Sequence, residues 1–198
     1  MLHTARLLLA PLADRHLDLE VELDSDPEVL RFISGRAHTR EEVERAHAER
    51  MALGRKVPGL GYFMAFGTRQ GAAGSTPPET EQAGHFVGLL MLPPAHGPDQ
   101  PDDPTVAGLG YRLLRRYWRR GLATEASGEL LRHAFETVGM QRVIAQTMAV
   151  NAASRGVMKA VGMSHVRTYF PQFGDPLPGT DQGEVEYELT AEEWRRRR

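Results

Sequence analysis

Between Val106 and Val138 one hydrophobic rhythm gives way to another. Val106 to Leu114 reads as a strand that carries two glycines, and from Ala123 onward Ala123, Ala126, Leu130, Leu131, Ala134, Phe135 and Val138 recur at helical spacing. The stretch Trp118-Arg119-Arg120-Gly121-Leu122-Ala123-Thr124-Glu125-Ala126 is therefore a strand-to-helix junction. The first turn of a helix has backbone N–H groups with no partner inside it, and the positive end of the helix dipole faces outward there. Gly121 lets an anion come close to the backbone, and Arg119 and Arg120 add positive charge. This is the chemistry of a pyrophosphate cradle. Read from these nine residues alone, a plain turn with a solvated arginine pair fits equally well.

Composition narrows the alternatives. The chain has 198 residues, 41% of them hydrophobic and 25% charged, which suits one globular domain over 1–198 with a core of its own. A net charge of −2 gives no general attraction to nucleic acid or to an anionic membrane, and the terminal run Arg195 to Arg198 reads as a solvated tail. There are no cysteines, which excludes disulfides, a thiolate nucleophile and cysteine-bound zinc, and suits a reducing compartment. No apolar run approaches the roughly 20 residues of a membrane span, and the opening residues lack a signal-peptide pattern. A cytoplasmic protein with neither a membrane nor a nucleic-acid partner is the expectation. The eight histidines show no metal spacing, so no metal is expected, and neither a P-loop nor a dinucleotide-binding glycine pattern occurs.

Along the chain, Leu7 to Leu9 fits a first strand, and Leu12 to Leu23 a helix with Asp14 as its N-cap. Asp26-Pro27 looks like a second helix start. Thr39-Arg40-Glu41-Glu42 is a capping box opening a helix to about Leu53. Strands are expected at 62–66, 85–92, 142–150, 166–170 and 185–189, with Asn151 capping a helix that ends near Gly162 and Thr190 opening a last one. Three Pro/Gly-rich loops, 67–84, 93–104 and 171–183, separate these elements and are expected to border a binding site. The order predicts a mixed α/β domain whose sheet of about seven strands is mostly antiparallel and gains parallel neighbours around the two central helices.

The run Tyr117 to Ala126 resembles the acetyl-CoA-binding signature of the GNAT N-acetyltransferase superfamily, closest to the branch of ribosomal-protein N-terminal acetyltransferases. Three further stretches agree with that branch in order. Asn151-Ala152-Ala153-Ser154-Arg155-Gly156-Val157-Met158 to Gly162-Met163 is similar to its asparagine–serine block, Thr4-Ala5-Arg6-Leu7 to its start, and Tyr187-Glu188-Leu189-Thr190 with Glu193-Trp194 to its tail. Two departures stand out. Trp118 occupies a position that is polar in the wider superfamily, and Met158 stands where many members carry a tyrosine acid.

The resemblance implies a GNAT fold with a splayed central strand pair that holds acetyl-CoA as co-substrate. It implies acetyl transfer to an amine, either a protein N-terminus or a small molecule, by direct attack in a ternary complex. The Leu113 backbone N–H would face the thioester oxygen. Arg119, Arg120, Gly121, Leu122, Ala123 and Thr124 would hold pyrophosphate, with Arg120 slightly favoured over Arg119 for a side-chain contact. Asn151 would bond the pantetheine arm, Ser154 would meet the sulfur, and Arg155 would reach phosphate or the adenosine end. No base is evident. Asp102, Asp103 and Glu186 lie on segments that could border the acceptor but read first as solvated charges, and Tyr111 reads first as core packing. A homodimer is compatible with the resemblance, with no residue here to carry it. A module that binds acyl-CoA without turning it over is the competing functional reading, motivated by the missing tyrosine and base.

Overall fold

The computed structural model describes residues 1–67, 80–97, 100–101, 103–172 and 174–197. Asp99 and Asp102, and most of the first Pro/Gly loop, lie outside the described residues. The seven expected strands are all present. A two-residue strand β1 (Leu2–His3) precedes β2 (Leu7–Pro11), which is followed by β3 (Gly61–Gly67) and β4 (His85–Leu92). The expected strand 106–114 is divided into β5 (Val106–Gly108) and β6 (Gly110–Leu113). Then come β7 (Arg142–Met148), β8 (Ser164–Tyr169) and β9 (Glu184–Thr190). The helices are α1 (Leu17–Asp24), α2 (Arg40–Gly54), α3 (Leu122–Arg132), α4 (Ala152–Ala160) and α5 (Ala191–Arg196), and α3 runs on into a π-helical turn over His133–Val138.

Two sheets result, ordered β1-β2-β3-β4-β6 and β5-β7-β9-β8. Every pairing is antiparallel except β5 with β7, which is parallel. Leu7, Leu8, Leu9 and Ala10 are all buried, as expected of a strand covered on both faces. Strand alternation tells the two faces apart. On β6 the Tyr111 hydroxyl reaches α4, while the neighbouring Arg112 pairs with Asp24 on α1. Helices α3 and α4 touch each other and lie on one face; α1 packs on the other, against α2 and β4.

Two expectations are corrected. Asp14 is not a helix N-cap: it lies inside a 3-10 turn (Asp14–His16) that precedes α1, and the cap position belongs to Ala13, whose N–H donates to His16 Nδ1 at 3.1 Å. No helix starts at Asp26-Pro27. Asp26 Oδ1 accepts the Glu28 N–H at 3.0 Å, and the N–H groups of Ile33, Ser34 and Gly35 all converge on the Leu30 carbonyl. The segment is a series of turns, closed by Gly35 at φ 68°. Its apolar side chains do not supply a buried helical stripe; Ile33 is exposed and Phe32 half-buried. The capping boxes at Thr39/Glu42 and Thr190/Glu193 form as expected, and Asn151 caps α4 by accepting the Ser154 N–H.

A buried charge cluster was not legible in the sequence. Glu20 and Asp24, one turn apart on α1, are fully buried. Glu20 bonds Arg50 and His47 of α2, and Asp24 stands 2.8 Å from Arg112 of β6. Burial lowers the Arg112 pKa, and the nearby carboxylate of Asp24 partly restores it. The cluster ties α1 and α2 to the sheet.

Gly88 is the glycine that β4 and β6 need in order to approach each other. A Cβ there would stand 2.7 Å from Leu113 Cα and closer still to the Arg112 carbonyl oxygen. Gly88→Ala is therefore expected to cost about 1–3 kcal/mol through overpacking, seen as a lower midpoint in urea unfolding with an unchanged slope. A wild-type midpoint would show that β6 can move aside freely.

Candidate functional site

The site begins where one strand passes from one sheet to the other. The Leu109 N–H donates to the Ile144 carbonyl at 2.7 Å, the last rung that joins this strand to β7. From Gly110 onward the chain pairs with β4 instead. A wedge opens between β6 and the far half of β7. It is a cleft of about 1600 Å³ whose walls include Tyr111, Leu113, Ala145, Thr147 and Ser154.

The register decides which backbone groups face this wedge. The Leu114 N–H donates to Val87 at 3.0 Å, so Leu113 and Gly88 form a non-hydrogen-bonded pair. The Leu113 N–H and C=O therefore point to the opposite edge, into the cleft. The carbonyl accepts the indole N–H of Trp118 at 2.6 Å, which gives that departure from the polar pattern a bracing role. The same alternation turns the Tyr111 N–H into the cleft, one step nearer the point of splay. Sequence reasoning named Leu113 alone and missed this second donor.

Between β6 and α3, after a 3-10 turn over Arg115–Tyr117, the backbone bends sharply along the cleft. Arg119 has φ 58° and Gly121 φ 74°, both left-handed. Arg119 follows an extended Trp118, and the only non-glycine positive φ among the described residues lies here. The first N–H used inside α3 is that of Glu125, bonded to the Gly121 carbonyl at 3.0 Å, which leaves those of Leu122, Ala123 and Thr124 at the helix mouth. Arg119 lines the cleft. Arg120 is not among its lining residues; its guanidinium lies 5.8 Å from the centre of the Tyr117 ring.

The loop is braced from the other end of the chain. Glu125 accepts from Thr4 Oγ1 at 2.5 Å, from the Arg6 N–H at 2.8 Å and from Arg6 Nε at 2.6 Å, and Arg6 Nη1 donates to the Arg120 carbonyl at 3.0 Å. Burial raises the Glu125 pKa, but the bonds from Thr4 and Arg6 outweigh it, and the net shift is downward. The Thr4-Ala5-Arg6 start and the Ala-Thr-Glu-Ala stretch thus form one structural unit.

The opposite wall comes from α4 and β7. Ser154 and Asn151 line the cleft. Asn151 Nδ2 donates to Thr147 Oγ1 at 3.0 Å while Oδ1 holds the first turn of α4. The Tyr111 hydroxyl donates to the Ser154 carbonyl at 2.8 Å and stands 3.1 Å from Ser154 Oγ. Its pKa is pushed up to about 12 by burial, with the Ser154 bond opposing. Tyr111 packs against the core, as expected, and also lines the cleft, where it brings a phenol beside α4 that Met158 does not supply. Arg155 turns away: it donates to the Ala149 carbonyl at 2.9 Å and to the Tyr187 hydroxyl at 3.4 Å. Gly156 opens on the cleft, with nothing within 4 Å of a Cβ placed there.

Of the carboxylates singled out in the sequence, the two among the described residues, Asp103 and Glu186, do not stand free in the cleft. Asp103 accepts from the Thr105 hydroxyl and N–H, which lower its pKa. Glu186 is buried, not solvated, and accepts from Gln146 at 2.8 Å and Arg167 at 2.9 Å. Of the three loops, 93–104 contributes Pro93, His96 and Gln100 to the cleft and 171–183 contributes Pro171 and Gln172.

Two substitutions test the cradle. Arg6→Ala is expected to raise the acetyl-CoA KM about tenfold, the worth of one charge-assisted hydrogen bond, with kcat nearly unchanged in steady-state kinetics; an unaltered KM would mean the loop keeps its shape unaided. Gly156→Ala is expected to stabilise α4 by up to about 1 kcal/mol while weakening coenzyme A binding by calorimetry, because the added methyl projects into the cleft. Stabilisation with undiminished affinity would show that no ligand passes close to this turn.

Comparison with known proteins agrees with this geometry. Residues 6–164 match the family model of the acetyltransferase (GNAT) domain. An FsC-acetyl coenzyme A-N(2)-transacetylase of Aspergillus fumigatus is 37% identical over 198 residues, covering 98% of this chain and 78% of the relative. Among solved structures, the spermidine N-acetyltransferase of Vibrio cholerae, in complex with CoA and spermine, superposes with a TM-score of 0.71 at 11% identity, covering 96% of this chain and 98% of that one. A ribosomal L7/L12 alpha-N-protein acetyltransferase in complex with coenzyme A gives 0.71 at 15% identity, with 96% and 97% covered. A splayed sheet, a left-handed loop at a helix mouth and a family match across most of the sequence converge: the chain belongs to the GNAT acetyltransferases.

Proposed function

We propose that this acetyltransferase moves the acetyl group of acetyl-CoA to an amino nitrogen of a small molecule, of the kind named for its fungal relative, by direct attack in a ternary complex. We read residues 1–198 as one such domain, at work in the reducing compartment that a cysteine-free chain suits. The observation that carries the acceptor class is the 37% identity over nearly the whole chain. The cleft lining agrees. On the side away from α4 it offers Phe32, Ile33, Tyr62, Met91 and Tyr169 with the neutral amides of Gln100 and Gln146. A polycationic amine would call for a cluster of free carboxylates, and among the described residues the lining holds only Glu28 and Glu184.

The mechanism follows from the walls. The loop from Arg119 to Thr124 holds the pyrophosphate through backbone N–H groups, with the guanidinium of Arg119 beside them. The facing edges of β6 and β7 leave N–H and C=O groups for an amide-bearing arm, as an added strand would use them. The N–H of Leu113 stabilises the oxyanion that develops on the thioester, a preorganised donor that needs no reorientation during the reaction; that of Tyr111, two residues back and about 6.6–6.8 Å away along the strand, is left for the amide-bearing arm. Ser154 faces the sulfur, and the Tyr111 phenol behind it supplies the proton for the departing thiolate. An α-amine, with a pKa of about 7.7–8, is deprotonated at a cost of only about 1 kcal/mol at neutral pH, against roughly 4–5 kcal/mol for a lysine-type amine. A weak base therefore suffices for the first kind of acceptor.

The test is release of free CoA thiol from acetyl-CoA in the presence of FsC, spermidine, an aminoglycoside or an N-terminal peptide. FsC is expected to turn over fastest; preference for the peptide or the polyamine would overturn the acceptor class. Tyr111→Phe is expected to lower kcat about ten- to a hundredfold, at the lower end of acid–base contributions, with the acetyl-CoA KM preserved. A full rate in this variant would leave thiolate departure to Ser154 and water.

A further inference from the structure

We propose that Glu184 is the group that takes the proton from the attacking amine. This rests on the acetyl-transfer reading above and names the base that reading leaves open.

Strand parity sets which side chains face the acceptor. On β9 the Tyr187 hydroxyl accepts from Arg155 of α4, so Val185, Tyr187 and Leu189 face α4, and Glu184, Glu186 and Glu188 face the opposite way. On β7 the Thr147 hydroxyl accepts from Asn151 at the mouth of α4, which leaves Gln146 on that same opposite face. On β6 it is Arg112, paired with α1, that points there. The helix mouths, the left-handed loop and Ser154 all lie on the α4 side. A thioester delivered from that side is open to attack from the other, through the gap between β6 and β7. A base must stand on the side from which the amine comes.

The acids of that opposite face can be taken one by one among the described residues. Glu20 is engaged by Arg50 and His47, and Asp24 stands against Arg112. Glu186 is held by Arg167 and Gln146, and Glu188 lies 3.5 Å from Arg142. Glu28 also lines the cleft, but it is exposed on the turns that follow α1. Glu184 alone among these combines a place in the cleft wall with partial burial and a carboxylate without a partner among the described residues. It sits opposite Met148 on β7 and Tyr169 on β8. The other polar groups nearby in the register are Gln146, Glu186 and Arg167, and the guanidinium of Arg167 is already bonded to Glu186. Burial alone pushes the Glu184 carboxyl above its usual range, toward the value that a base working near neutrality needs.

In the step assigned to it, the amine lone pair attacks the thioester carbon and a C–N bond forms. As the C–S bond breaks, its electron pair leaves with the sulfur. One N–H proton passes to Glu184, directly or through one water, and is returned to solvent. The sulfur takes its proton from the Tyr111–Ser154 pair, which solvent restores.

The competing base is His96. It lines the same cleft, and its Nδ1 donates to the Pro94 carbonyl at 2.9 Å in the tautomer that leaves Nε2 basic. The experiment measures kcat and kcat/KM against pH, with acetyl-CoA and FsC, for the wild type, Glu184→Gln, Glu184→Asp and His96→Gln. Glu184→Gln is expected to lose about a hundredfold or more in kcat, to keep its affinity for CoA by calorimetry, and to lose the acidic limb of the profile. In the wild type that limb lies above the ordinary carboxylate range, because the base works only when ionised and its pKa is raised. Glu184→Asp is expected to recover at least a tenth of the wild-type rate. A full rate in Glu184→Gln, equal losses in the Gln and Asp variants, or loss of the limb in His96→Gln instead would each overturn the assignment. An active wild type with an indifferent Glu184→Gln defeats this inference alone. A wild type silent toward every amine defeats both it and the reading it rests on.

Discussion

The hydrogen bond from the Leu109 N–H to the Ile144 carbonyl is where this molecule becomes an acetyltransferase rather than an ordinary α/β sheet. Up to that rung the chain is a parallel neighbour of β7, and beyond it an antiparallel neighbour of β4. Two consecutive stretches of one strand cannot serve both sheets without parting from one of them. The parting leaves two strand edges with unpaired backbone groups. In a closed fold such groups are costly to bury. Here they line a cleft, where a ligand bearing amides and a thioester can use them. Gly88 permits the second half of the arrangement, because only a residue without Cβ lets β6 come so close to β4.

The left-handed loop depends on a different long-range contact. Arg119 and Gly121 occupy left-handed conformations, and for an arginine that conformation is unfavourable in isolation. Surrounding structure has to hold it. Glu125 gathers Thr4 and Arg6, and Arg6 extends one further bond to the carbonyl between the two left-handed residues. The N-terminal segment is thereby fixed against the start of α3 before β2 enters the sheet. Burial of Glu125 without these donors would disfavour its charge; with them the charged form is preferred.

What the sequence disclosed and what it concealed divide along the same physical line. Features set by neighbours in the chain were legible: the capping boxes at Thr39 and Thr190, the Asn151 cap, the helical stripe of α3 and the turn at Gly121. The failures at Asp14 and Asp26 concern helix starts, where a side chain has rival uses for its oxygen. Asp26 spends its carboxylate on the Glu28 N–H in a turn, which no helix follows. Features set by distant residues were not legible. Nothing in the spacing of Glu20 and Asp24 shows that both would be buried against arginines 30 and 88 positions away. Tyr111 and Ser154 are 43 positions apart, and only the splay brings the phenol to α4. Glu184 and Glu186 look alike in the sequence; Arg167, on the adjacent strand, neutralises one and leaves the other.

Strand parity then sorts the chemistry. Along β6 the odd residues turn toward α4 and the even ones toward α1, and along β7 and β9 the same division separates Thr147 and Tyr187 from Gln146 and Glu184. Groups suited to a leaving thiolate collect on one side of the gap and groups suited to an incoming amine on the other. A slip of one residue in the pairing of β6 with β4 would exchange the phenol of Tyr111 for the guanidinium of Arg112. The buried Asp24–Arg112 pair opposes that slip, since moving the guanidinium out would leave the buried Asp24 carboxylate with only the more distant Arg50, at 3.7 Å, and His38, at 3.8 Å. On this account the ionic cluster beneath the cleft fixes register, and through register it fixes which face of the thioester is open to attack.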